Sequence, residues 1–347
     1  MNKKVTIQDI ADALGVSRNT VSKAINSSEG LADATREKIL QKALEMGYKQ
    51  FSYVASISAM NAAKNDSHSQ NAGEIALMVG NFLGMNHFAS LMMDKFQIEA
   101  AEMGYTISTY RVTKKNLREK TFPKTLDMDR ICAIVCVEIF DYDYGVFICS
   151  AGLPVLFVDG PCACGEEPLQ GDFLLMDNTS ELTRFVKMMI NRGFRKIGFI
   201  GDVYHCQSFY ERYMAYRMGM IMEGVDVDKK FLILTKDRDK DAMQEALENM
   251  DELPDAFVCA NDFVAIAAMQ IYAARDRSIL QKVRFLGFDD SHDSRIFYPS
   301  LSTIHIHTQA MSFSALHLLM TRIKEPSLDY RKIYVATNLI LRDSTEF

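Results

Sequence analysis

VTIQDIADALGVSRNTVSKAIN, residues 5–26, reads as two short helices joined by a tight turn. Thr6 precedes the first apolar position and Asp9 follows three residues later, the spacing of a capping box. Ile7, Ile10, Ala11 and Leu14 then fall on one helical stripe. Gly15 suits the left-handed residue that ends a helix, and Val16 plugs the turn. Ser17 is placed to cap the second helix, whose buried side is Val21, Ala24 and Ile25. Arg18, Asn19, Ser22 and Lys23 are left on the opposite, solvent side. A helix that offers Arg, Asn and Lys near its N-terminus is equipped to meet base edges in a DNA major groove. The plainer alternative is an amphipathic helical hairpin that only packs.

TREKILQKALEMGY, residues 35–48, predicts a third helix with Ile39, Ala43 and Met46 on its apolar face and Gly47 closing it. Three short helices over about fifty residues make a minimal core. The headpiece resembles the DNA-binding domain of the LacI/GalR family of bacterial transcription regulators. The residues that carry the resemblance are VTIQDIA at 5–11, GVS at 15–17, TVS at 20–22 and TREK at 35–38. The family usually has a Ser capping the third helix; Ala32 stands there, so Asp33 is the candidate cap.

The chain has 347 residues, room for two or three domains. No apolar run approaches the roughly 18 residues that a membrane span needs, and MNKKV leads straight into a helix signature instead of a signal-peptide apolar region. No membrane partner is expected. Seven cysteines, mostly in apolar strands, suggest reduced thiols in a cytoplasm. Cys162 and Cys164 lack a second Cys/His pair at zinc-finger spacing, so they read as loop residues and no metal site is expected. Residues 1–50 carry eight Lys/Arg and six Asp/Glu, a net of +2, which leaves −8 of the formal −6 to the remainder. An acidic body repels phosphates, so DNA contact belongs to the N-terminal end. A headpiece of only +2 points to a homodimer that doubles the phosphate contacts.

Between Tyr48 and Gly73 the composition changes twice. Residues 51–63 can form a short helix, and KNDSHSQNA at 64–72 is a polar connector. The resemblance implies a hinge helix here that orders on operator DNA, usually opened by Pro-Asn and carrying a Leu that wedges into the minor groove. Gln50 and Phe51 occupy the Pro-Asn positions, and Ile57 falls nearest the wedge, with Met60 a second candidate. Such a wedge kinks DNA at a cost of a few kcal/mol, offset by wider contact. The alternative is that these residues pack two linkers together at a dimer axis.

From Glu74 onward, short apolar strands alternate with amphipathic helices, a pattern that demands parallel sheet with helices on both faces. The expected strands are 75–79, 105–112, 133–139, 154–158, 173–176, 196–200, 231–234, 256–259 and 283–287, with helices at 88–103, 179–192, 208–223, 241–250 and 263–275. So many strands exceed one sheet. The expected fold is an all-α helix-turn-helix headpiece followed by α/β, two doubly wound parallel-sheet lobes. The expected division is a headpiece over 1–50, a hinge over 51–72 and a two-lobed domain over 73–347. One lobe takes about 73–172 plus 301–326, the other about 173–300 plus 327–347, with strands after Pro299 crossing back between them. The resemblance continues through MDNTS at 176–180, NRGFRKIGFIG at 191–201, CAND at 259–262, GFDD at 287–290, PSLSTI at 299–304 and LILRDST at 339–345. It implies an effector-binding domain similar to periplasmic sugar-binding proteins.

Ligands of open α/β sheets sit beyond the carboxyl ends of strands. Asp159, Asn261 with Asp262, and Asp289 with Asp290 all follow apolar strands, and Arg212 lies on the helix after Gly201. Such groups suit a hydroxylated ligand. The resemblance places Asp159, Arg212, Asn261 and Asp289 on effector-contacting positions, and His87 and Phe88 at the mouth of the first strand. Alternatives stand beside these: helix capping or loop fixing for Asp262 and Asp290, and an ion pair with Glu211 for Arg212. There is no Trp, and the family position that often stacks an aromatic on the sugar falls near Lys240, leaving Phe157, Tyr204 or Phe209 to stack. A sugar phosphate or sugar acid is equally compatible. His305 and His307 alternate on a predicted strand and read as structural.

No nucleophile elbow, phosphate loop or metal-binding cluster occurs, so neither an enzyme nor a cofactor is expected. The expected function is a homodimeric, sequence-specific regulator of transcription that binds double-stranded operator DNA in the cytoplasm on the nucleoid, repression being what the resemblance implies. Arg18, Asn19 and Lys23 are the candidate base readers; Thr6, Ser17, Thr20, Ser22 and Asn26 are the candidate phosphate contacts. A small carbohydrate-like effector between the lobes would control binding. The alternative is control by a protein corepressor, with the lobed domain as an interaction module.

Overall fold

A computed structural model describes residues 5–26, 35, 38, 39, 42, 43, 46, 72–80, 87–236 and 239–346. The expectations placed on Ala32, Asp33, Gln50, Phe51, Ile57 and Met60 lie outside these residues, as do those on the side chains of Ile25, Asn26, His87 and Phe88. The chain divides into two compact units, the smaller built on the N-terminal segment and the larger carrying nearly everything from Gly73 onward.

In the smaller unit, α1 (Ile7–Leu14) starts at the capping box expected of Thr6 and Asp9. Thr6 N donates to Asp9 Oδ2 at 2.8 Å, and Asp9 N donates to Thr6 Oγ1 at 3.3 Å. Gly15 ends the helix in the left-handed region, at φ 65°. α2 (Arg18–Asn26) begins where Thr20 N donates to Ser17 Oγ at 3.1 Å. Ile10, Ala11, Val21, Ala24, Ile39 and Ala43 form the core, with Val5, Ile7, Leu14, Val16 and Met46 packed around it.

The larger unit contains two parallel sheets. The first has strand order β11-β5-β4-β3-β1-β2, from β1 (Gly73–Val79), β2 (Tyr105–Arg111), β3 (Ile131–Val137), β4 (Val155–Val158), β5 (Asp172–Met176) and β11 (Lys332–Val335). The second has order β7-β6-β8-β9, from β6 (Ile197–Ile200), β7 (Leu232–Ile233), β8 (Ala256–Cys259) and β9 (Arg284–Leu286). Every pairing in both is parallel. The intervening helices are α3 (His87–Glu102), α4 (Lys114–Glu119), α5 (Tyr142–Cys149), α6 (Ser180–Asn191), α7 (Gln207–Met222), α8 (Lys240–Glu248), α9 (Asp262–Arg275), α10 (His292–Ile296) and α11 (Thr308–Lys324). The α/β architecture expected from the alternating pattern is the one observed.

The lobe borders differ from expectation: residues 301–306, expected in the first lobe, run beside β9 of the second sheet, and two segments expected in the second lobe join the first. β5 pairs with β4, and β11 pairs with β5, so residues 172–176 and 332–335 belong to the first sheet. After Asp172, β5 is an apolar and fully buried run, and such a run reads the same whichever sheet it completes. The chain passes between the sheets near Asp177, again between β10 (Thr303–Ile306) and α11, and a third time between β11 and β12 (Thr337–Ile340). β10 and β12 pair antiparallel.

Both sheets reverse their winding at one point, between β1 and β3 in the first and between β6 and β8 in the second. The backbones crowd there. A Cβ on Gly80 would lie 2.6 Å from the Glu138 carbonyl oxygen, and one on Gly201 would lie 2.4 Å from Ala260 Cβ. Such reversal points open the crevice in which α/β sheets hold ligands.

Candidate effector cleft and DNA-reading surface

β4 is an unbroken buried run, and the chain leaves it at Asp159 with φ 48°. β3 and β9 end in the same way: Glu138 has φ 55° and Asp289 has φ 115°. Non-glycine residues in that region cost free energy and cluster where geometry serves a site. α7 closes the space between the sheets. Its first residue docks on the first sheet, Gln207 N donating to the Gly160 carbonyl at 3.0 Å, and Ser208 Oγ donates to Asp159 Oδ1 at 2.8 Å.

One turn further along α7, Arg212 is 3% exposed. Its Nε donates to Asn178 Oδ1 at 2.9 Å and its Nη1 to the Ala260 carbonyl at 2.7 Å. Asp289 Oδ1 stands 4.0 Å from Nη1, and the guanidinium lies 3.5 Å from the centroid of the Phe288 ring. The partner of Arg212 is therefore Asp289, while Glu211 instead accepts from Asn178 Nδ2 at 2.8 Å and from the Tyr334 hydroxyl at 2.9 Å. Arg212, Asn178 and Ser208 tie together the mouths of β4, β5, β8 and β9.

This cleft is rich in negative charge. Burial pushes the Asp289 carboxyl up to about 8, the nearby Asp262, Glu138 and Asp159 add to the rise, and Arg212 opposes it. Burial also raises Asp159, against the pull of Arg212 and the Ser208 hydroxyl. Asp262 is pushed up to about 6 by burial, although Thr303 and Ser291 donate to it.

The remaining candidates divide. Asn261 caps α9, accepting from Val264 N at 2.9 Å, which leaves its amide NH₂ as the group available to a ligand. Asp262 ties α9 to Ser291 N and to Thr303 Oγ1. Asp290 is bonded to Arg295, Arg342 and His305 and fixes its loop, its carboxyl held low by the two arginines despite burial. His305 and His307 sit edge to face at 4.9 Å, His307 meeting Asn338 across the antiparallel pair. His87 and Phe88 open α3.

Phe157 does not line the cleft. It is fully buried and stacks on Phe173 at 4.9 Å, because alternate residues of a strand face opposite sides and this one faces the first core. Phe209 is 6% exposed and meets His205, while Tyr204 is exposed and stacks on Tyr210. Phe263 is an aromatic the sequence pattern passes over; it is half exposed, with Lys240 Nζ 5.4 Å from its ring, and both line a recess with Gly201 and Asp202. Asn178, Ser208, Glu138 and Phe288 are likewise additions. Glu138 falls inside the strand expected over 133–139, and Asn178 and Phe288 fall inside the MDNTS and GFDD stretches, so none of them stands out as a site residue.

In the smaller unit Arg18, Asn19 and Lys23 are exposed, Ser22 is half-buried and Val21 and Ala24 point into the core. The hydroxyls of Thr6, Ser17 and Thr20 are engaged in the caps of α1 and α2.

Residues 6–50 match the family described as bacterial regulatory proteins, lacI family, and residues 186–345 match the periplasmic binding protein-like domain. A curated relative, the HTH-type transcriptional regulator CelR of Thermobifida fusca, is 25% identical over 99% of this chain and 98% of its own. Among solved structures, a transcriptional regulator CelR-cellobiose complex superposes with a TM-score of 0.68 at 20% identity, covering 98% of this chain and 100% of the other. The lac repressor dimer bound to operator and the anti-inducer ONPF superposes with a TM-score of 0.65 at 17% identity, covering 99% of each chain. Among the described residues, no helix is long and apolar enough to cross a membrane.

Proposed function

We propose that the chain, which matches the lacI family over its headpiece and the periplasmic binding protein-like domain over residues 186–345, is a homodimeric LacI-type repressor whose operator binding is set by a small hydroxylated effector held between the two sheets. The observation that carries the effector reading is Arg212, a buried guanidinium between Asn178 on one sheet's mouth and Ala260 and Asp289 on the other's. A ligand bridging Asp159 and Asp289 favours one spacing of the sheets. It shifts DNA affinity only insofar as it binds that spacing better than the other. Asp159, Asn261, Asp289 and the mouth of β1 near His87 and Phe88 are the proposed contacts, with Phe263 as the stacking surface.

Arg18, Asn19 and Lys23 read base edges in this proposal. Thr6, Ser17, Thr20, Ser22 and Asn26 set the register on phosphates, aided by the backbone N–H groups that open α1 and α2. The place of action is the cytoplasm.

The relative in complex with cellobiose supports a sugar as effector, and so do the polar side chains gathered at the strand mouths. The corepressor alternative has one observation in its favour, the outward row Met214, Met218, Ile221 and Met222 on α7. The test selects a duplex from a random library with the full chain, then follows its binding by fluorescence anisotropy across a sugar panel. An effector is expected to change the affinity at least fivefold. If no sugar moves either the affinity or the melting temperature, the effector reading fails and the corepressor reading takes its place.

A further inference from the structure

Glu211 is half-buried on α7 and collects donors from three parts of the chain. Its Oε1 accepts from Gln207 Nε2 at 2.9 Å and from the Tyr334 hydroxyl at 2.9 Å, and its Oε2 accepts from Asn178 Nδ2 at 2.8 Å. Gln207 lies one turn back on α7, Asn178 two residues beyond β5, and Tyr334 on β11 at the edge of the first sheet. Asp177 N donates to the Val335 carbonyl at 2.8 Å, and Thr337 Oγ1 donates to the Asp177 carbonyl at 2.9 Å. Two crossings between the sheets, at Asp177 and between β11 and β12, therefore meet beside this carboxylate.

The sense of each bond is fixed by the groups that make it. An ionised carboxylate only accepts and a guanidinium only donates, whereas an amide does one at each end. Asn178 is 1% exposed and stands between Glu211 and Arg212. Its NH₂ must face Glu211, which turns its carbonyl to Arg212 Nε at 2.9 Å. Burial and the Glu211 charge push the Tyr334 phenol up, so the hydroxyl keeps the proton that it donates. The series runs from β11 through Glu211 and Asn178 to Arg212, whose Nη1 reaches the Ala260 carbonyl after β8. Among the described residues, Arg212 Nη2 makes no hydrogen bond.

Resting on the effector reading above, we propose that Glu211 and Tyr334 are positioning residues of the cleft, which fix the orientation of Arg212 and leave its Nη2 as the donor for a hydroxylated ligand. Neither residue touches the ligand in this proposal. Tyr334 belongs to the first sheet and α7 follows β6 of the second, so their bond answers to the spacing of the sheets. Asn178 carries that spacing to the guanidinium, because an amide held by an acceptor at one end and a donor at the other cannot turn over without losing both bonds. Ligand and sheet spacing thereby bias the same hydrogen-bonded series.

The test follows hydrogen exchange of arginine Nε–H groups by NMR in the full-length protein labelled on arginine, each signal being assigned by its loss in the matching lysine variant. Arg322 is the internal reference: it is 3% exposed, and its Nε donates to Asp172 Oδ2 at 2.9 Å, apart from this series. Glu211→Gln sets one amide NH₂ against another and is expected to speed exchange at Arg212 about tenfold. Tyr334→Phe removes one hydroxyl from a half-exposed ring and is expected to speed it about threefold, with Arg322 unchanged in both variants. A sugar of the panel that moves duplex binding of the unsubstituted protein is expected to need about threefold more in Tyr334→Phe. Unchanged exchange at Arg212 in both variants, an equal rise at Arg322, or an unshifted sugar midpoint overturns this inference and leaves the effector reading standing. If no sugar of the panel moves duplex binding, both fall.

Discussion

The proposed DNA-reading helix and the proposed effector cleft treat their polar side chains in opposite ways. On α2, Arg18, Asn19 and Lys23 are exposed, and among the described residues their side chains make no hydrogen bond. In the cleft, Asp159, Asn178, Ser208 and Arg212 are bonded to one another before any ligand arrives. A DNA-reading surface can leave its donors in water, because the duplex supplies acceptors and the grooves are wet. A cleft between two sheets cannot, because a buried charge without a partner costs several kcal/mol. One site is therefore built from local helical geometry, the other from a network that spans segments more than a hundred residues apart.

That contrast can be broken by removing one member from each side. Arg212→Ala takes from Asp289 and Asn178 the guanidinium that meets them, and should lower the unfolding free energy of the larger unit by about 3 kcal/mol, read by urea unfolding. A loss under about 1 kcal/mol would mean the network is looser than its geometry implies. Effector response should vanish in the same variant.

The next effect is a pH dependence confined to the cleft. Asp289 ordinarily titrates near 3.8 but is pushed up to about 8 in the fold, so the folded state holds a proton that the unfolded chain releases. Stability should fall as pH rises through that window, by at most about 1.4 kcal/mol per pH unit for one proton, and level off above it. Asp262, pushed up to about 6, adds the same sign at the lower end. Asp289→Asn should flatten the melting temperature between pH 6 and 8. An unchanged slope there would assign it to other groups.

On the DNA side the effects are smaller and selective. Arg18→Ala should cost about 1–3 kcal/mol of discrimination at one base pair per half-site, with the salt dependence of binding little changed. Uniform weakening across all duplexes, with a shallower salt slope, would make Arg18 a phosphate contact instead. Gly15→Ala tests the scaffold beneath it. A Cβ there meets open space, so the left-handed φ of 65° is the whole penalty, about 1 kcal/mol, felt by the smaller unit alone.

Much of this was legible in the residues. The capping box at Thr6, the left-handed Gly15, the core positions Ile10, Val21 and Ile39, and the strands around Asp159, Asn261 and Asp289 all follow from patterns confined to a few neighbours. The misplacements were of another kind. Phe157 reads as a stacking aromatic near Asp159, yet its strand parity turns it into the core against Phe173. β5 reads as the start of the second lobe, yet it completes the first sheet. Arg212 reads as an effector contact or as a partner of Glu211, yet three other segments hold it. Asn178 lies in the MDNTS stretch but is not marked there as a site residue, since its value lies in reaching Ser208, Glu211 and Arg212 on a helix about thirty residues away.

By itself the sequence determined the elements, their order, the helix caps and which residues of α2 face outward, because helix and strand periodicities are set by local backbone sterics. Only the tertiary structure decided which sheet each strand joins, which aromatic faces the cleft and how many carboxylates share one arginine. Those outcomes depend on burial and on distances between segments far apart in the chain, and it is burial that turns the ordinary aspartate at 289 into one that holds its proton to about 8.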